Sequence, residues 1–368
     1  MESNKFKNKR IALVYDRINK WGGAERVLLA FHELFPDAPL YTSVYNPDRA
    51  KWAKVFNIRT SFLQNFPRAS SSHELYVTLM PLAFESFNFD EYDVVISITS
   101  EAAKGIITKP KTLHICYCLT PTRYLWSGYD DYFKNNTSKF LSKPAISYLR
   151  FWDKVACQRP DAYIAISEEV QDRIKKYYGR DSFLVYPPLS IESNSGNDDK
   201  IGNYFLLVAR LVPYKKADVA IEAFNNLKLP LKVIGSGTEI KKLRKIAKPN
   251  IEFLSNLTDE ELIGYYKNCS AFVFPGREDF GLAILEAQSF GKPVIAYRGG
   301  GASEIVIEGE TGEFFDKQKA EALAEKVVAF NNSKYSRQKC IERAHQFSKK
   351  RFQEQIQLTI YRFLEGKN

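Results

Sequence analysis

The sequence predicts an α/β fold of two Rossmann-like domains, and three observations predict it. Short apolar runs of the kind that form buried parallel strands alternate with helical apolar stripes in both halves of the chain. The alternation stops once, at Pro187-Pro188 and the polar stretch 190–203, and then restarts. A chain of 368 residues also exceeds one ordinary core, and two domains of about 150–200 residues accommodate it.

The first strand is the apolar run at 11–15, followed by the glycine-containing loop 19–23. A helix over 24–35 carries Val27, Leu28, Phe31, Leu34 and Phe35 as its apolar stripe. Further strands are expected at 93–99, 113–119, 162–167 and 183–186, and a helix over 168–178 with Ser167 as N-cap. After the break, strands are expected at 205–209, 231–234, 251–254, 271–274 and 293–296. Helices at 217–227, 239–247, 259–269 and 282–290 separate them, and helices over 320–330, 336–347 and 352–364 close the chain. The domains read as 1–189, a linker at 190–203, and 204–350. The segment 351–368 is expected as a C-terminal helix packing back on the first domain.

Composition is globular, with 45 % hydrophobic and 26 % charged residues. No run of about 18 apolar residues predicts a membrane span, and the basic start 1–10 leads into no signal-peptide core. Five cysteines without a CxxC pair point to a reducing compartment and free thiols. Cys116 and Cys118 fall in one expected strand, where we expect them on opposite faces, and their spacing does not suit a metal. Asn-x-Ser/Thr sites, among them Asn135 and Asn256, carry no meaning without export. The net charge of +10 suits nucleic acid, an anionic membrane or an anionic substrate.

In open parallel sheets ligands bind beyond the carboxyl ends of strands, so the chemistry belongs in those loops. Gly22-Gly23-Ala24-Glu25 follows the first strand. It is either a phosphate cradle at a helix start or a plain tight turn. Arg210 and Lys215 follow the first strand of the second domain, as a diphosphate clamp or as a solvated basic loop. Glu278 precedes a helix and Glu286 lies eight residues on, inside it. That spacing lets both carboxylates look along one face. Glu286 sits among Leu282, Ile284, Leu285 and Ala287. It is either a ligand-binding carboxylate in an apolar setting or a partly exposed helix residue.

Glu278-x7-Glu286 with Phe280-Gly281 between resembles the signature of retaining glycosyltransferases of family 4, which have the GT-B fold. Gly291-Lys-Pro-Val, Arg298-Gly-Gly-Gly-Ala-Ser-Glu304 and Thr311-Gly312 follow in the family's order. Arg210…Lys215 and Gly22-Gly23-Ala24-Glu25 precede in theirs, so the resemblance covers nearly the whole chain. The segments 116–126 and 211–215 resemble a subgroup of O-antigen and polysaccharide mannosyltransferases. The resemblance implies two Rossmann-like domains facing a central cleft, and transfer of a hexose, best read as mannose from GDP-mannose, to a saccharide or lipid-linked acceptor. It implies that Glu286 binds the ribose hydroxyls and Glu278 the donor sugar. Phe280, Gly281 and Leu282 would offer backbone N–H groups. Arg210 and Lys215 would neutralise the diphosphate, with Gly22 and Gly23 backing it from the other domain. No metal or other cofactor is required, because cations and N–H groups stabilise the leaving phosphate. A leaving-group oxygen can take the acceptor's proton.

One departure stands out. Many relatives carry a histidine where this chain has Leu119, and the nearest histidine, His114, reads as a core residue. Candidates on the acceptor side are Asp16, Arg123, Tyr124 and Trp126. Arg123 is as readily a structural cation as a ligand. The segment 123–152 interleaves aromatic and basic residues, suiting sugar rings, core packing or a membrane surface. With the basic N-terminus, this places the protein in the cytoplasm, peripheral on the inner face of an anionic membrane. A non-catalytic sugar- or nucleotide-binding protein is the alternative. Nucleic acid is disfavoured, since no nucleic-acid motif accompanies the charge.

Overall fold

The computed structural model describes residues 9–133, 136–191 and 202–367. They form two compact units, Met1–Tyr186 with Phe352–Asn368, and Pro187–Arg351. Most of the expected linker, 192–201, lies outside the described residues, as do Asn135 and the basic segment 1–8.

The first unit is built on a parallel sheet ordered β3-β2-β1-β4-β5-β6-β7. Its strands are β1 (Ile11–Tyr15), β2 (Leu40–Thr42), β3 (Ile58–Thr60), β4 (Val94–Thr99), β5 (Leu113–Cys118), β6 (Ala162–Ala165) and β7 (Phe183–Leu184). β1, β4 and β5 are buried along their whole length. That is why they read as unbroken apolar runs rather than alternating ones. β2 and β3, three residues each, are too short to leave that signal. The helices are α1 (Gly23–Leu34), α2 (Met80–Glu85), α3 (Tyr129–Tyr132), α4 (Asn136–Ala156) and α5 (Glu168–Tyr178). Ser167 caps α5 by accepting from the Val170 N–H, and Gly179 ends it in the left-handed region (φ 65°).

The second unit repeats the plan with the order β10-β9-β8-β11-β12-β13. Its strands are β8 (Phe205–Val208), β9 (Leu231–Ile234), β10 (Ile251–Leu254), β11 (Ala271–Phe274), β12 (Val294–Tyr297) and β13 (Gly312–Phe315). Its helices are α6 (Ala217–Leu227), α7 (Ile240–Ile246), α8 (Asp259–Asn268), α9 (Leu282–Ser289), α10 (Ala302–Ile305), α11 (Ala320–Ala329) and α12 (Arg337–His345). The last helix, α13 (Lys349–Lys367), belongs to the first unit from Phe352 onward. There Phe352 stands edge-on to Phe31 (5.3 Å) and Tyr117 (5.9 Å), and Phe363 meets Phe183 (5.2 Å).

All five cysteines are free and buried. Cys116 and Cys118 correct one expectation, because they lie close enough for their thiols to hydrogen-bond. Residues two apart on a pleated strand share a face, so opposite faces were never available to them. His114 is a core residue, with Nε2 2.9 Å from the Ser97 hydroxyl.

Candidate functional site

Each sheet reverses its strand order once, between β1 and β4 and between β8 and β11. Crevices form beyond the carboxyl ends of strands at such switch points. Both units gather their polar side chains there.

In the second unit, β8 runs out into a tight turn at Pro213–Lys215, and Lys216 takes a left-handed conformation (φ 54°). This aims Lys215 at Glu278, and the two side chains form an ion pair, each mostly buried. Arg210, beside them on the same loop, is exposed and donates to the Tyr214 hydroxyl (3.0 Å). Glu278 is not on the helix that follows. It pairs with Gly300 in an isolated parallel bridge, and its carbonyl accepts from the Gly301 N–H (3.0 Å). α9 begins at Leu282, as expected, so Glu278 precedes it and Glu286 lies inside it. Glu286 is buried in α9 and accepts from the Tyr266 hydroxyl of α8 (2.8 Å). Tyr266 is held flat against Phe290, with ring centroids 5.9 Å apart.

Glycines set how close these loops come. A Cβ at Gly300 (φ 64°) would strike the Glu278 carbonyl oxygen, and one at Gly276 would press on the Lys215 backbone (2.9 Å). A Cβ at Gly235 or Gly237, in the loop after β9, would collide with the carbonyl oxygen of Ala209 or Leu211. Gly281 (φ 120°) precedes α9, where the Ile284 N–H is taken up by the Gly281 carbonyl (2.9 Å) and Leu282 opens the first turn. Phe280 packs on Phe347 (5.7 Å), which leaves its backbone as the part that can serve a ligand.

In the first unit, Asp16 ends β1 and is buried. Its carboxylate accepts from the Thr99 hydroxyl (2.7 Å) and from the N–H groups of Ser100 (2.8 Å), Glu101 (3.1 Å) and Ala103 (2.9 Å). Burial, and then the Glu101 charge, push its pKa above the ordinary carboxylate value. These bonds fasten the loop after β4, so Asp16 anchors the switch point. Arg17 pairs with Glu101 across that switch (2.7 Å). Burial opposes the Glu101 charge, but Arg17 overrides it and holds the carboxyl below its ordinary value. Gly22 and Gly23 open α1, and the turn is tied down by Glu25, which accepts from the Tyr15 hydroxyl (2.6 Å).

Arg123 and Trp126 sit toward α4, whereas Tyr124 lines a small cavity with Glu101 and Ala102 of the loop after β4. Trp126 donates to Asp153 of α4 (2.7 Å) and stacks on Tyr177 (5.4 Å). Asp153 also pairs with the fully buried Lys104 (2.5 Å). Burial works against the Lys104 charge, yet Asp153 raises its pKa above the ordinary value. Arg123 accepts through its carbonyl from Trp126 and Gly128. Trp126 is therefore a structural ring here. Tyr124 packs among Leu125, Ile146 and Leu149.

Reading the sequence missed His73, Trp21, Tyr266 and the Gly235-Ser236-Gly237 turn. The turn had a signal, two glycines directly after an expected strand. The others are placed by contacts too distant in sequence to leave a pattern. Among the described residues, no group of three His, Cys, Asp or Glu side chains is arranged to hold a metal ion.

Residues 191–347 match the family model described as glycosyl transferases group 1. The chain is 31 % identical over 206 residues, 55 % of its length, to an uncharacterized glycosyltransferase of Methanocaldococcus jannaschii. It is 30 % identical over 198 residues, 45 % of its length, to a GDP-mannose-dependent phosphatidylinositol monomannoside mannosyltransferase of Mycolicibacterium smegmatis. It spans 58 % and 52 % of the lengths of these two curated relatives. Anabaena HepE, solved with UDP and glucose, superposes with a TM-score of 0.70 over 96 % of this chain and all of that one, at 19 % identity. The likeness shows the fold, and the fold is GT-B. The matched residues 191–347 fall in the second unit, where most of the motifs that carry the resemblance also fall.

Proposed function

We propose that the chain is a retaining glycosyltransferase that moves a hexose from a sugar nucleotide to a saccharide or lipid-linked saccharide. The observation that carries this reading is the meeting of Lys215 and Glu278 at the β8–β11 switch point, on loops that glycines bring into backbone contact. Lys215 and the neighbouring Arg210 supply positive charge where a diphosphate leaves. Donor binding gives Lys215 a new anionic partner and turns Glu278 toward the sugar hydroxyls. Glu286, oriented by Tyr266, takes the ribose hydroxyls. With two cations and the first-turn N–H groups of α9 at hand, the reaction requires no metal. The departing phosphate oxygen accepts the acceptor's proton on the face it leaves, which retains configuration.

Mannose, from GDP-mannose, is the donor we favour, supported by the mannosyltransferase relative at 30 % identity. A thermal-shift panel of GDP- and UDP-sugars tests it. GDP-mannose should raise the melting temperature most, and Glu286→Ala should lose that rise. An unchanged donor affinity in Glu286→Ala removes the site assignment, and a larger shift with another sugar nucleotide removes mannose.

The same reading places the protein on the cytoplasmic face of an anionic membrane, where a lipid-linked acceptor is held. Its support is α4, on which Phe140 (78 % exposed), Leu141 (73 %) and Phe151 (72 %) face outward. At 100° per residue Phe140, Pro144, Tyr148, Phe151 and Val155 form one stripe, with exposed Lys143 and Lys154 along its edge. Among the described residues no helix is long and apolar enough to cross a membrane. Vesicles containing phosphatidylglycerol should sediment the protein and neutral vesicles should not. Sedimentation unchanged by Phe140→Glu with Phe151→Glu rules this surface out.

A further inference from the structure

The first unit carries an aromatic and polar shelf beside its switch point that the donor chemistry does not use. Trp21, in the loop after β1, is 43 % exposed. It is nevertheless held in place. Its ring lies 5.7 Å from that of Trp52, and the Arg26 guanidinium sits 4.9 Å from its centroid. Trp52 is itself fixed by donating to the Lys20 carbonyl (2.8 Å) and by standing edge-on to Phe56 (6.2 Å). A large indole kept rigid and exposed pays little entropy when a ligand covers it.

Two residues before Trp21, Asn19 prepares a single imidazole tautomer at His73. The Asn19 amide nitrogen donates to the Ser70 carbonyl (3.3 Å), which can only accept, and this orients the amide. The same nitrogen lies 3.1 Å from His73 Nδ1, which must then be the acceptor. The imidazole proton therefore sits on Nε2. Burial, and then the Arg17 charge, push His73 down to about 4, so the ring is neutral at physiological pH. Arg17 is committed to Glu101 and Asp16 to the loop after β4. The shelf thus presents an indole and a neutral imidazole whose Nε2 lies 3.4 Å from the exposed Glu74 carboxylate, with Arg26 over the indole offsetting that charge.

We infer that Trp21 and His73 form the subsite for an uncharged pyranose ring of the acceptor. The C–H face of the sugar stacks on Trp21, and Nε2–H of His73 donates to a ring hydroxyl. The inference rests on the glycosyltransferase reading above. It moves the acceptor contact from Arg123, Tyr124 and Trp126 to the loop after β1.

Saturation-transfer NMR on the full chain tests it, with the methyl pyranosides of mannose, glucose, galactose and N-acetylglucosamine as probes. At least one should receive saturation on one face of its ring. Trp21→Ala should weaken that binding about tenfold, and Trp21→Phe should restore part of it. His73→Gln should weaken it about threefold to tenfold. No contact with any glycoside, or contact undiminished in both Trp21 variants, overturns the inference. So does contact abolished by saturating GDP or UDP alone, which would give the shelf to the donor. If sugar nucleotides raise the melting temperature while glycosides fail to bind, this subsite falls and the transferase reading stands. If no sugar nucleotide binds, the transferase reading falls first.

Discussion

The two switch points solve one problem by different means. In the second unit the loops after β8, β9 and β11 meet backbone to backbone, and glycines at 235, 237, 276 and 300 permit the approach. In the first unit the loops are drawn together by side chains. Asp16 ties down 99–103, Arg17 pairs with Glu101, and Lys104 with Asp153 joins the sheet to α4. A backbone-built crevice keeps its shape while its few charged groups, Lys215 and Glu278, stay available to exchange partners with a ligand. A crevice built from charges has spent them on its own architecture. Its ligand must then be met by whatever is left over, which here is aromatic and neutral.

The largest test of this contrast is Asp153→Ala. It leaves the Lys104 ammonium buried without its counter-charge, a change that costs about 3–5 kcal/mol. Urea unfolding should show the loss. Pairing Lys104→Met with Asp153→Leu should recover most of it, because an apolar pair removes both buried charges. If Asp153→Ala proves nearly neutral, the first unit is not held by its ion pairs and the comparison fails there.

Gly300→Ala is the counterpart in the second unit. The residue must hold φ 64° with its Cβ driven at the Glu278 carbonyl, so a cost of about 1–3 kcal/mol is expected. Glu278 should shift with it, and the thermal stabilisation given by the sugar nucleotide should shrink more than stability does. Retained donor stabilisation would mean that the bridge between Glu278 and Gly300 does not position the site.

The same contrast explains what the sequence made legible. Glycines after strands, Glu278-x7-Glu286 and the paired cations are short-range patterns, and each marks a place where a backbone must come close or a helix must begin. They mark the loops that the structure brings together in the second unit, where Lys215 meets Glu278. The first unit's network joins residues 83 to 87 apart, as between Asp16 and the loop 99–103. Nothing local distinguishes Asp16 from a solvent-facing aspartate, or Trp126 from a free aromatic. His73 stands in a short 3-10 helix, His73–Leu79, outside any regular apolar period, so it left no pattern. The strands and long helices were legible because burial imposes a period on them. The 3-10 turns and the three-residue strands were not.

The smallest expected effect concerns His73 and is read against pH. Its value in the fold, about 4, lies below the ordinary 6.5. Between those limits the unfolded chain binds a proton that the folded chain refuses, so stability falls as pH drops through the window. Two neighbours must be kept apart from this. Glu101, held low by Arg17, loses stability too, but only near and below its ordinary value of 4.5. Asp16, held high by burial, takes up its proton in the fold before the unfolded chain does, and so acts in the opposite sense. The difference between the parent and His73→Gln profiles from pH 6.5 down to 5 isolates the histidine from both. His73→Gln should flatten the decline of melting temperature there and leave it unchanged above pH 7. Coincident profiles for the two proteins would mean that the imidazole protonates freely. The first unit's crevice would then present a charge, and its complement would be an anion instead of a neutral sugar.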